Sequence, residues 1–493
     1  MVLEVSLLTG WLPMMLEFAA AIALVVAVGW RDFHWRTRLV PVIVAATILA
    51  GFLVATIGAP AAGITDPLPL SVWVWFAVSF CALLVLALGW TSARWWQRLT
   101  AVLAAGLALV VCANSVNQFV GYYPTVGTAV AGLQGQQPPG QVSLAQIRKD
   151  PQGARTGELV GVTIPATPSG FTHRQELVFL PPVWFRGSHR PKLPVVEMIG
   201  AEHSKPENWV RIGDAVRTSQ AYAALHRGLA PILVFVDATA RFSNDTECVN
   251  GPHGMAEDHL VRDIPQFMSA TFGASRDPRA WAVAGFSMGG TCAVGLAVEH
   301  PTTFGHFVDI SGDLTPNTGD KAQTIANLYG GSLAAWAAHD PLTVMARHGR
   351  YPALTGRFLD GKQELLHIRE ARQLASVGRK VHIVSQVVAL PGSHTWQFAS
   401  AAFANVFPWL CGQLDLAVHR PATRVAHWSA IRPIHRPATR PAHRPATRPT
   451  RPTTRPTRPT TGPAHRPATG PTHRPATHPT VVSRQPHQQL ARR

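Results

Sequence analysis

Cysteine is scarce in this chain, which has five in 493 residues. That is too few for a disulfide scaffold. Cys81 and Cys112 fall in apolar stretches, which leaves Cys248, Cys292 and Cys411. No metal-ligand spacing is present, so neither a metal nor an organic cofactor is expected. Acidic residues are missing from one region altogether. The formal net charge is +17, which by itself suggests nucleic acid or an anionic surface as partner. From Leu416 to the C-terminus there are fifteen Arg, no Lys and no acid, so only +2 remains for the rest of the chain. The body of the chain is therefore not a nucleic-acid binder. The tail also has almost no large apolar side chains. Its repeats, "HRPATRPAHRPATRPTRPTTRPTRPTTGPAHRPATG", predict a disordered, extended segment over residues 416–493. Placed outside a membrane, it would meet anionic wall polymers or lipid headgroups.

What the first 120 residues have in abundance is apolar runs. They read as spans at about Leu7–Gly29, Leu39–Ile57, Leu70–Gly89 and Leu99–Phe119, each near the ~20 residues needed to cross the hydrocarbon core. A cleavable signal peptide has one short apolar region and does not account for four. The loop "RDFHWRTR" carries Arg31, Arg36 and Arg38, and "TSARWWQR" carries Arg94 and Arg98, whereas "GAPAAGITDPLP" carries no Lys or Arg. The two basic loops should face the cytoplasm, which puts both termini and everything after Phe119 outside. Residues 121–156, with "GQQPPGQ", read as a linker and a first strand.

Residues 157–415 alternate buried strands with helices: "PVVEMIG", "PILVFVDAT", "WAVAGFS", "FGHFVDISG" and "KVHIVSQVVAL" are the strands. This order predicts a mostly parallel sheet with helices on both faces. "GELVGVTIPA" and "RQELVFLPPVWF" read as an opening antiparallel pair, and "AEDHLVRDIPQFM" as one helix despite Pro265. Residues 313–350 break the rhythm and read as an inserted cap or a surface excursion.

The stretch "WAVAGFSMGGTCAVGL" stops a strand at Ser287, between Gly285 and Gly289, and restarts as a helix. A G-x-S-x-G turn lifts a serine hydroxyl out of the sheet at a helix N-terminus. Ser287 is the candidate nucleophile, and the Met288 N–H a candidate oxyanion donor. A serine needs a base held in one tautomer. His394, in "LPGSHTWQF" after the last strand, is in the place for it. The acid should follow the strand "ALTGRFLD". Glu364, past Gly361, lies on a loop beyond the sheet edge and is favoured, with Asp360 as the alternative. A second oxyanion donor should come from the loop after "PVVEMIG", where Ala201 follows Gly200. Cys248 and Cys292 both fall near the C-terminal edge of the sheet, and a disulfide between them is expected outside the cytoplasm. Cys411 reads as a core residue.

The stretches "VFLPPVWF", "PVVEMIGA" followed by "ENW", "GFSMGG", "EHPTTFGHFVDISGD" and "GSHTWQF" resemble the esterase branch of the α/β-hydrolases, which includes esterase D and the antigen 85 mycolyltransferases. The likeness covers residues 157 to 412. It implies a Ser–acid–His triad, with Ser287 and His394 at the matching positions, and an ester hydrolase or acyltransferase of a family that acts on cell-wall lipids. Four-span members are similar to this architecture. Ile199-Gly200 departs from the His-Gly or Asp-Gly that relatives often carry. The expected molecule is a four-span membrane bundle, an α/β-hydrolase domain and a disordered tail, which together form an extracytoplasmic serine esterase or acyltransferase. The rival reading is a non-catalytic wall-binding scaffold with a relic hydrolase domain.

Overall fold

A computed structural model describes residues 2–29, 31–58, 68–149, 155–186 and 190–414. The tail from residue 416 and most of the Arg-free loop lie outside the described residues.

Four helices, Trp11–Val28, Trp35–Gly58, Leu70–Gly89 and Trp95–Val120, are long and apolar enough to cross a membrane. They are apolar around most of their circumference, as spanning helices are. Three helix starts differ from the sequence reading by four residues for local reasons; the fourth helix begins at Trp95, where Gln97 Oε1 accepts the Arg94 N–H at 2.9 Å. The first helix starts at Trp11 because Gly10 has φ 95° and breaks the helix. The residues before it are fastened elsewhere: Leu7 N–H donates to the Pro124 carbonyl (2.9 Å), and Val126 N–H to that of Val5 (3.0 Å). The second begins at Trp35 because the Asp32 carboxylate accepts the Trp35 N–H at 2.7 Å. Arg31 ties the two basic loops together. Its Nη2 donates to the Ala27 carbonyl (2.6 Å) and its Nη1 to that of Gly89 (2.7 Å).

Besides the expected first strand, residues 121–149 hold helices. The elements are a helix, Val126–Leu133, capped by the Thr125 hydroxyl; the strand, β1 (Gln141–Ser143); and a short helix, Leu144–Lys149. β1 pairs in parallel with β2 (Glu158–Val162) and so extends the sheet by one strand. Its three residues are too short to show a period in sequence.

The sheet continues with β3 (Glu176–Leu180), β4 (Val195–Ile199), β5 (Ile232–Val236), β8 (Trp281–Phe286), β9 (His306–Ile310), β10 (Thr355–Gly361) and β11 (Val384–Leu390). A two-stranded ribbon, β6 (Asn250–Gly251) with β7 (Gly254–Met255), stands apart. The order across the sheet is β1-β2-β3-β5-β4-β8-β9-β10-β11, and only the pairs β2–β3 and β3–β5 are antiparallel. β3, β4, β5, β8 and β9 are buried along their whole length, which is why they read as continuous apolar runs. One core layer centres on Trp184, Phe272 and Val283, the other on Trp209, Trp396 and Phe403.

The helix expected over "AEDHLVRDIPQFM" forms over residues 256–272, with a wider π-helical turn at His259–Asp263. Pro265, which has no N–H to donate, follows directly after that widened turn. The insertion over 313–350 forms three helices, Lys321–Tyr329, Leu333–His339 and Pro341–His348. Asp320, Ser332 and Asp340 cap them. β4, β8, β9, β10 and β11 run parallel, so the loops after them gather at one edge, where open α/β sheets place their sites.

Candidate active site

The turn after β8 depends on its glycines. A Cβ on Gly285 would collide with the Gly289 carbonyl, and one on Gly289 would lie 2.5–2.6 Å from the carbonyl oxygens of Ile199 and Gly200. The helix Met288–Glu299 therefore starts directly against the end of β4. Ser287 takes φ 58° and ψ −124°, a conformation that disfavours side chains. Its N–H is fixed by the Ile310 carbonyl at 2.9 Å. The strained turn presents the hydroxyl at the helix N-terminus.

His394 arrives from the loop between β11 and the helix Trp396–Gln413, which the Thr395 hydroxyl caps. Its Nε2 lies 2.8 Å from Ser287 Oγ, and its Nδ1 lies 2.8 Å from Glu364 Oε1. With a neutral ring protonated on Nδ1, that nitrogen donates to Glu364 and the serine hydroxyl donates to Nε2. The Phe286 ring, 5.0 Å away between centroids, backs the imidazole.

Glu364 stands at the N-terminus of the helix Leu365–Lys380. Its Oε2 accepts the Gly361 N–H (2.6 Å) and the Ser311 hydroxyl (3.0 Å). Burial alone would raise this carboxyl. The His394 hydrogen bond and charge, the Gly361 N–H and His367 outweigh it and hold the group below its ordinary range. Asp360, the alternative acid, stays buried inside β10 with Oδ2 unpartnered. Burial, and then the charge of Glu364, push it up to about 7. The structure thus joins Glu364 to the histidine and leaves Asp360 in the strand.

Met288 opens the nucleophile helix and Ala201 follows β4, on the two segments that Gly289 brings into backbone contact. The Ala201 loop is braced. The Ser204 hydroxyl donates to the Ala201 carbonyl (2.5 Å), and Arg174 Nη2 donates to the Ser204 carbonyl (2.9 Å). Arg174 is in turn held by Asp237 through its N–H (2.6 Å), Nε (2.9 Å) and Nη2 (2.5 Å). Cys248 and Cys292 are bonded, tying the loop after β5 to the second turn of the nucleophile helix.

Sequence reasoning missed three neighbours. His367 lies 5.1 Å from His394 ring to ring. Its Nδ1 is 3.7 Å from Glu364 Oε1 and its Nε2 3.4 Å from Asp313 Oδ1. Ser311 and Asp313 come from the turn after β9. The one available signal was His367 three positions after Glu364, one helical turn on. Further carboxylates interact with Asp313. Burial, then Glu202, push Asp245 up to about 7, and burial with Asp245, Asp313 and Glu202 drives Glu247 well above its ordinary range. Glu364, His367 and His394 bring donor atoms within 4.8 Å of one another. With both His394 nitrogens engaged, the arrangement suits proton transfer to and from Ser287.

Residues 172–406 match the family model Esterase, described as "Putative esterase". An uncharacterised protein of Corynebacterium glutamicum is 27% identical over 338 residues, covering 65% of this chain and 78% of its own length. Among solved structures, an S-formylglutathione hydrolase from Agrobacterium tumefaciens aligns at 18% identity with a TM-score of 0.44, covering 53% of this chain and 97% of that one. MPT51 of Mycobacterium tuberculosis aligns at 20% identity with a TM-score of 0.40, covering 53% and 100%.

Proposed function

Since the α/β domain belongs to the esterase branch of the α/β-hydrolases, which are carboxylic-ester hydrolases or acyltransferases, we propose that this chain is a membrane-anchored serine esterase or acyltransferase. It acts outside the cytoplasm on neutral acyl esters of envelope lipids through an acyl-enzyme on Ser287. The observation that carries the reading is the continuous chain of contacts from Ser287 Oγ through His394 to Glu364, 2.8 Å at each link.

Ser287 attacks the ester carbonyl while His394 Nε2 takes its proton. Glu364 holds the ring in the productive tautomer and balances the imidazolium. The N–H groups of Met288 and Ala201 receive the oxyanion. His394 then gives the proton to the departing alcohol. Water, or a sugar hydroxyl if the enzyme is a transferase, reverses the sequence and releases the acyl group. Asp313, whose carboxyl burial would raise but His367 and Asn317 hold below its ordinary range, keeps its charge beside the triad and disfavours an anionic acyl donor.

Two features support the membrane setting. The fourth span ends against the site: Gln397, three residues past His394, donates to the Gly121 carbonyl (2.9 Å), and the Tyr122 hydroxyl donates to Asn208 Oδ1 (3.2 Å). Tyr122 and Ala201 both pack against the core layer that contains Trp396. An ester leaving the bilayer surface would have a short path to Ser287. The basic loops, joined by Arg31, favour the cytoplasmic side, which supports a topology with the opposite end of the bundle and the α/β domain outside.

A membrane-impermeant fluorophosphonate probe on intact cells tests both parts. Wild type should label and Ser287→Ala should not, with esterase turnover falling by roughly 10³-fold or more. Labelling of Ser287→Ala equal to wild type removes Ser287 from the mechanism. Labelling that appears only after lysis keeps the enzyme and overturns the topology. A time course of free acid against transacylated product then separates hydrolase from transferase.

A further inference from the structure

We propose that Glu257, Glu299, His300 and His339 form a divalent-cation site, with donors suited to zinc, that staples the helical insertion to the far end of the helix bearing Ser287. Glu257 comes from the short helix after the β6–β7 ribbon. Glu299 and His300 close the nucleophile helix, and His339 ends the second helix of the insertion. Their donor atoms converge. His300 Nε2 lies 2.7 Å from Glu257 Oε1, His339 Nδ1 lies 2.8 Å from Glu299 Oε2, and His339 Nδ1 lies 3.9 Å from Glu257 Oε2. Donor atoms of Glu257, Glu299 and His300 all fall within 4.8 Å of one another.

A tetrahedral zinc ion with ligands at about 2.0–2.1 Å sets its ligands roughly 3.3 Å apart. The observed separations straddle that value, so small side-chain shifts would admit the ion. Two imidazoles and two carboxylates are a zinc-type donor set, and the two negative charges match a divalent cation. The four side chains are only 12–28% exposed. A second observation points the same way. The Tyr329 ring stacks on His339 (5.6 Å between centroids, 19°), and its buried hydroxyl has no hydrogen-bond partner. The carboxylates of Glu299 and Glu257 are among the charges acting on that phenol. A hydrated cation beside it would supply the missing partner.

The other two His–carboxylate groups differ. His394, His367 and Glu364 belong to the site already described. In the buried group His173–Glu176–His259, both His173 nitrogens lie 2.8 Å from backbone carbonyls, of Arg174 and Ile164, and face those oxygens rather than a shared point with the other two residues. No local spacing announces the proposed site, because its ligands come from three separate segments.

The test uses the full-length chain in detergent, stripped with EDTA and dialysed against micromolar ZnCl₂. The tail carries eight further histidines, so the comparison is between proteins with the same tail. Wild type should retain one zinc equivalent more than Glu257→Gln or His339→Gln. Zinc at about 100 times Kd should raise the wild-type Tm by about 5–10 °C and leave the variants unmoved. Fluorophosphonate labelling of Ser287 reports that each variant is folded. Should one fail to label, Glu299→Gln replaces it. Equal zinc content in wild type and folded variants, or equal Tm shifts, overturns the site.

Discussion

Two histidines in this molecule are each gripped by carboxylates, and they have opposite surroundings. His394 has Glu364 on Nδ1 and a serine hydroxyl on Nε2, and its side chain is 20% exposed. His259 has Asp263 on Nδ1 (3.0 Å) and Glu176 on Nε2 (3.2 Å), and its side chain is fully buried. His173 stacks on its face at 4.4 Å, and the buried carboxyl of Glu197 is close enough for the Glu176 charge to act on it. A carboxylate partner therefore does not make a histidine a general base. A reactive site needs one nitrogen left to a group that exchanges protons with substrate. When both nitrogens face fixed acids, the ring becomes a structural cation. Burial works against its charge, but the hydrogen bonds and charges of Glu176 and Asp263 raise its pKa nonetheless.

The strongest way to break this contrast is at the carboxylates beside His394. Glu364→Gln should lower kcat by about 10²–10⁴-fold, because the amide can hold the ring in the wrong tautomer and no longer balances the imidazolium. Asp360→Asn should change kcat by less than about threefold, since its carboxyl lies in the strand and does not reach Nδ1. Ester turnover of the two variants, normalised to folded protein, decides between them. A larger loss in Asp360→Asn would reassign the acid.

At His259 the expected change is in stability. His259→Gln strands Glu176 and Asp263 in the core and should cost about 3–5 kcal/mol at pH 6, with kcat of the folded fraction within about threefold of wild type. The folded pKa of His259 is raised above its unfolded value. Its stabilisation is therefore complete below the unfolded value of about 6.5 and is lost as pH rises through the folded one. Denaturant midpoints of wild type and variant should converge between pH 6 and pH 9. A constant gap would mean that the ring is not charged in the folded protein.

The same contrast explains what was legible in the sequence. Ser287 and His394 stand out because each follows an apolar strand at a glycine-marked turn, and local pattern reports such turns well. The parallel sheet was legible because strands buried on both faces leave unbroken apolar runs. His259 and Glu176, 83 positions apart, meet only in three dimensions, and so do His367 and Asp313, 54 positions apart. Neither pair leaves a periodic trace. The choice between Glu364 and Asp360 stayed open in sequence because both lie within five residues at the end of the same strand. What separates them is burial, the Gly361 N–H and the reach of His394. The first strand expected in residues 121–156 is there as β1, although its neighbours in the chain are polar and it owes its place to β2.

The smallest effect concerns Asp360 again, now as a stability probe. Burial and then the Glu364 charge push its carboxyl up to about 7, whereas an unfolded aspartate titrates near 4. Between those values the folded state binds the extra proton, so this residue makes stability fall as pH rises through the window and then level off. Asp360→Asn removes the titration. Its advantage over wild type should grow from pH 4 to about pH 7 and reach about 1–2 kcal/mol at pH 8, a Tm difference of several degrees. The amide's extra donor in a strand interior keeps the gain below the full linkage value. Thermal melts of both proteins at pH 4.5, 6 and 8 measure it. A difference independent of pH would mean that Asp360 is ionised in the folded protein throughout, which would place two negative charges beside His394 and return Asp360 to candidacy as its partner.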